Sequence, residues 1–140
     1  MGYVVLGAWV IQAIVGAILL GEWLRHARGA GRGPLLVHIS LVVLYLAPWV
    51  AFVVTGAAWW AWIAVAVLTV ALSFGDVMMV RRARRLQGRT RPGMRDYGGA
   101  IGMVFTGKMP RRVVFHALLA PVVYFGSLGL AIAATVAPAS

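Results

Sequence analysis

Cysteine is absent from this 140-residue chain, acidic residues number three, and lysine occurs once, at Lys108. The missing cysteines exclude disulfides, thiolate metal sites and thiol nucleophiles together. Sequence signatures of the common enzyme classes are missing too. There is no Gly-x-Ser-x-Gly elbow, no Walker loop for phosphate, and no His-Glu-x-x-His on any helix. The glycines Gly98, Gly99, Gly102 and Gly107 make a loose loop, but no strand precedes them to form a phosphate cradle.

What the chain has in excess is apolar surface. Hydrophobic residues make up 62% and charged residues 11%, far from the balance of a soluble domain. A bilayer core of about 30 Å requires roughly 20 apolar residues of helix. Four runs meet that length, at about 3–24, 34–55, 59–80 and 113–136. They use most of the chain, so the expected fold is all-α: one transmembrane domain over 1–140, an up-down bundle of four helices.

The thirteen basic residues, giving a formal charge of +10, fall in two windows, Arg25 to Arg32 and Arg81 to Arg112. Lysine and arginine gather on the cytoplasmic side because they are hard to translocate, so both windows are expected inside and both termini outside. This topology accounts for the charge without nucleic acid, since the aromatic residues sit in apolar runs rather than among the arginines. Anionic lipid headgroups are the expected counter-charge. The first run, from Tyr3, lacks a basic region before it and exceeds the apolar stretch of a secretory signal, so it reads as a retained span. Basic residues that are nearly all Arg, with abundant Ala, Val and Gly, suggest a bacterial inner-membrane protein.

Local signals punctuate the runs. Three glycines among residues 25–33 predict a tight turn, and Pro34 fits the first turn of the second span. Trp59, Trp60 and Trp62 resemble an aromatic belt at the opposite membrane surface. Pro48 and Pro121 predict kinks. Small residues spaced by four, Ala13, Ala17 and Gly21 in span one and Gly129 and Ala133 in span four, predict close helix packing. The loop over 81–112 is too long for a connector. Its apolar piece, Tyr97 to Phe105, is too short to span and could form an interfacial helix, dock on the bundle or contact a partner; the order of residues 86–110 is left open.

The halves also read alike. Gly21-Glu22 aligns with Gly75-Asp76, and Val37-His38 with Phe115-His116, as in a duplicated helical hairpin whose copies are related by an axis along the membrane normal.

Ionisable residues inside a span are costly and are therefore candidates for function. Glu22 and Asp76, roughly 4–8 Å below the basic edge, and His38 and His116, roughly 6 Å below it, fall in one layer. Three readings follow. In the favoured one the chain is a non-catalytic integral subunit or accessory protein, whose acids and histidines make structural pairs. Arg81, Arg82, Arg84, Arg85, Arg111 and Arg112 then contact anionic lipid, a larger membrane complex or another copy of the chain. In the second, His38 and His116 are the axial ligands of one haem b, with arginines near its propionates. This arrangement resembles membrane b-type cytochromes, in which histidines on alternate helices bracket haem. The resemblance covers only the placing of two histidines, and the lack of a second histidine along each helix limits it to one haem. In the third, Glu22, Asp76, His38 and His116 together hold a divalent metal or pass protons, without the Glu-x-x-His pairs of di-iron bundles.

Overall fold

An apolar chain in lipid must satisfy every backbone N–H and C=O internally, and the helix does so within one segment. The computed structural model, which describes residues 1–26, 32–89, 93 and 96–136, is accordingly all-helical. The helices are α1 (Gly2–His26), α2 (Arg32–Leu44), α3 (Leu46–Thr55), α4 (Ala58–Leu86), α5 (Asp96–Phe105) and α6 (Arg111–Val136). Four segments are long and apolar enough to cross a membrane: α1, α2 with α3, α4, and α6. The turn expected between the first two spans lies mostly at 27–31, outside the described residues.

Proline explains the division of the second span. Pro48 has no N–H for the carbonyl of Leu44, and α2 ends at that residue while α3 begins two residues later. The neighbouring bonds persist, Tyr45 N–H to Leu41 O at 2.9 Å and Trp49 N–H to Tyr45 O at 3.2 Å, so the break is local. Pro121, by contrast, sits within an uninterrupted α6. Gly56, with φ at 72°, closes α3 by donating to Phe52 O at 2.8 Å. That left-handed cap is where glycine is cheapest.

α4 is the central helix, with α2, α3 and α6 packed on it and α1 packed along α6. Its buried Ala61, Ala64, Leu68 and Ala71 recur at three- and four-residue spacing, which places them on one face. Small side chains there let the neighbouring backbones approach, the main source of packing energy where lipid offers no hydrophobic drive. Against that face sit Tyr45 and Trp49, fully buried and stacked at 5.6 Å. Ser127 Oγ donates to Val123 O at 2.8 Å, which leaves the Tyr45 hydroxyl to donate to Ser127 Oγ, also at 2.8 Å.

The small-residue stripes lie elsewhere than expected. Ala17, Gly129 and Ala133 are exposed on the bundle's outer surface, and a Cβ at Gly21 or Gly129 would meet open space. The packing face of α1 carries Val5, Gln12 and Gly16, and that of α6 carries Val123, Ser127 and Ala131. Spacing by four recurs along several faces of an Ala/Gly-rich helix, and residue size alone does not select one.

The apolar piece of the long loop forms α5 and docks. Ala100, Met103 and Val104, with Met109, pack on Ala83 and its neighbours on α4 and on Val113, Val114 and Ala117 of α6. Asp96 anchors the N-terminal end of α5. It accepts from Gly93 N–H at 2.8 Å and pairs with Arg89 at 3.2 Å and Arg84 at 3.6 Å. At the other end Gly107 takes φ of 68°, and Lys108 N–H reaches Met103 O at 3.0 Å, a Schellman closure.

Candidate functional site

α2 carries His38 and α6 carries His116, and the two imidazoles face each other with ring centroids 6.4 Å apart and planes at 71°. Each ring lies against a glycine of another helix. A Cβ at Gly75 of α4 would fall 3.2 Å from His38 Cε1, and one at Gly16 of α1 would fall 3.3 Å from His116 Cε1. A side chain at either place would press on the ring, which would have to give by a few tenths of an ångström.

His38 Nδ1–H donates to the carbonyl of Ala71, one turn before Gly75, at 2.8 Å. That bond fixes the tautomer and leaves Nε2 as a bare lone pair, the arrangement in which histidine binds metals. His116 is held differently. Gln12 of α1 donates from Nε2 to the backbone carbonyl of His116 at 2.9 Å, while His116 Nδ1 and Gln12 Oε1 are both buried without a partner. Among the described residues, neither Nε2 has a hydrogen-bond partner.

The four residues expected to share one layer are not one ligand set. Glu22 pairs with Arg112, and Asp76 accepts from the Tyr97 hydroxyl at 3.0 Å. No group of three or more His, Asp or Glu is gathered among the described residues. The four-ligand metal centre therefore gives way to a histidine pair. The reason is that each acid has a nearer donor at the basic edge, Arg112 on α6 and Tyr97 on the docked α5. The Tyr97 hydroxyl is in turn held above its usual pKa, chiefly by that bond to Asp76.

The six arginines assigned to lipid or partner contact also divide. Arg84 and Arg112 are engaged by Asp96 and Glu22. Arg81, Arg85 and Arg111 are exposed, and Arg82 is half-buried. Residues missed at the sequence level are Gly16, Gly75 and Gln12. The duplicated pattern brought Gly75 to notice, but as the counterpart of Gly21. The glycine that receives the second histidine lies five residues before Gly21. The spacing of Gln12 and Gly16 by four, matching Ala71 and Gly75, was the available signal.

Comparison with protein-family models, with curated proteins and with solved structures found no match. The functional reading rests on the site.

Proposed function

We propose that this chain is a membrane-embedded single-haem b protein, with His38 and His116 as the two axial ligands. One observation carries the reading: two imidazoles from different helices with centroids 6.4 Å apart. Imidazole nitrogen is a ligand of haem iron, so the two rings together would hold one haem. The donor set agrees, two neutral nitrogens with the His38 tautomer fixed by Ala71 O. Gly16 and Gly75 support it too, since they give the rings room to stand in this relation. When bound, haem would supply one-electron carrier chemistry. The chain's own contribution would be to orient the rings and to offer cations at the basic edge to the propionates.

The reading as an accessory subunit is compatible with this one and draws support from the exposed Arg81, Arg85 and Arg111. We place the protein in a bacterial inner membrane with both basic edges cytoplasmic, on the positive-inside argument. A reporter active only outside the cytoplasm, fused after Ser140, is expected to be active, and silence would reverse the orientation.

The experiment for haem is stoichiometric. Chain produced in haem-competent cells is expected to carry about one haem b by pyridine haemochrome assay, and the His38→Ala/His116→Ala protein none. Equal haem in both proteins would remove these ligands from the account.

A further inference from the structure

A second feature lies on the far side of the α6 turn that bears His116. Gly107, Met109, Arg111, Val114, Phe115 and Leu118 line an open groove of about 500 Å³. Residues 111, 114, 115 and 118 share one helical face, roughly opposite the direction of His116. Phe115 and Leu118 are half-exposed there, 50% and 44%. Arg111, at the head of the groove, is exposed and has no ion-pair partner among the described residues, and the same is true of Lys108 in the lining turn. Nearby Arg84, Arg89 and Arg112 differ in being paired with Asp96 or Glu22.

We propose that this groove binds one anionic phospholipid, its phosphate at Arg111 and Lys108 and its upper acyl chain along Val114, Phe115 and Leu118. The argument is charge complementarity combined with shape. An unpaired cation at one end, with Lys108 in the turn between the lining residues Gly107 and Met109, and an apolar stripe of about 6 Å from Val114 to Leu118 match an amphiphile with one negative head. Phe115 and Leu118 lie half-exposed on a helix long and apolar enough to cross a membrane, where lipid would be their solvent. A soluble anion would use the cations and leave the stripe empty. A protein segment would have no use for a single charged end. The proposal is independent of haem.

The test uses the full chain in nanodiscs of phosphatidylcholine doped with phosphatidylglycerol, with retained lipid read by native mass spectrometry. Lys108→Gln/Arg111→Gln is compared with Arg81→Gln/Arg85→Gln, which removes equal charge from α4, and helical content is checked by circular dichroism. All four side chains are exposed, so both proteins should fold. We expect the groove variant to lose phosphatidylglycerol affinity about 30-fold, and the α4 variant less than about threefold. Equal losses, or none, would overturn the site in favour of a diffuse basic surface. Displacement of the lipid by soluble glycerol phosphate at similar concentration would overturn the lipid in favour of a free anion.

Discussion

His38 Nδ1 donates to the Ala71 carbonyl at 2.8 Å with its ring against Gly75, one turn later, where an added Cβ would fall 3.2 Å from Cε1. Sequence, local geometry and function meet in that contact. Gly75 gives the ring space, the Ala71 carbonyl holds Nδ1, and Nε2 is left without a hydrogen-bond partner among the described residues.

Gly75→Val and Gly16→Val should therefore displace the rings. A Cβ already falls 3.2–3.3 Å from Cε1, and valine's two further methyls add overpacking of roughly 1–3 kcal/mol. Haem content should fall several-fold with helicity retained. Gly21→Val meets open space and is the control, with unchanged haem. Full haem in Gly75→Val would show that the glycine is incidental.

The acids should be dispensable for the site. Glu22 is paired with Arg112 at the exposed edge, where such a pair contributes about 0–1 kcal/mol. Glu22→Gln and Asp76→Asn should leave haem content and spectrum as in the parent. Loss of the cofactor from either would restore the acids as site residues.

Tyr45 and Ser127 form the fully buried hydrogen bond of the core. Tyr45→Phe and Ser127→Ala should each lower stability in detergent by about 1 kcal/mol, with a coupling near 0.6 kcal/mol in a double-mutant cycle. Strict additivity would mean that the bond contributes nothing measurable.

Asp96 holds the docked α5 through Arg84, Arg89 and the Gly93 N–H. Asp96→Asn should weaken docking by roughly 1–3 kcal/mol, seen as faster hydrogen exchange over residues 96–105 while α4 stays protected. Unchanged exchange there would assign the docking to Ala100, Met103 and Val104 alone.

Tyr97 adds a pH dependence to the same helix. Its pKa is raised by donation to Asp76, so the bond helps at every pH below the unfolded value of about 10. The contribution disappears as pH rises through the higher folded value. Protection of α5 should fall over that alkaline window, and Tyr97→Phe should flatten the profile. An identical profile in both proteins would separate Tyr97 from docking.

The spans were legible because apolar length is a strong signal. Expected boundaries at 34–55 and 113–136 lie within two residues of the helices found. The third span was expected to end at 80, yet α4 continues to Leu86 because arginine is a good helix former and the first strong break is Gly88, with φ at 65°. The facing histidines were legible as well, one on each alternate span at matching depth. The fates of Glu22 and Asp76 were not, because both partners come from distant segments: Arg112 from α6 and Tyr97 from a helix read only as an apolar piece. The roles of Gly16 and Gly75 were hidden for a related reason. A glycine's value here is the absence of atoms opposite a particular ring, and that depends on helix rotation rather than composition.

The most direct measurement is the reduced-minus-oxidised absorption spectrum of the purified chain beside His38→Ala and His116→Ala. The account predicts the sharp bands of a low-spin, six-coordinate haem b in the parent, and their loss or conversion to a five-coordinate form in each variant. A colourless parent after expression with ample haem would contradict it, as would an unaltered spectrum in either variant.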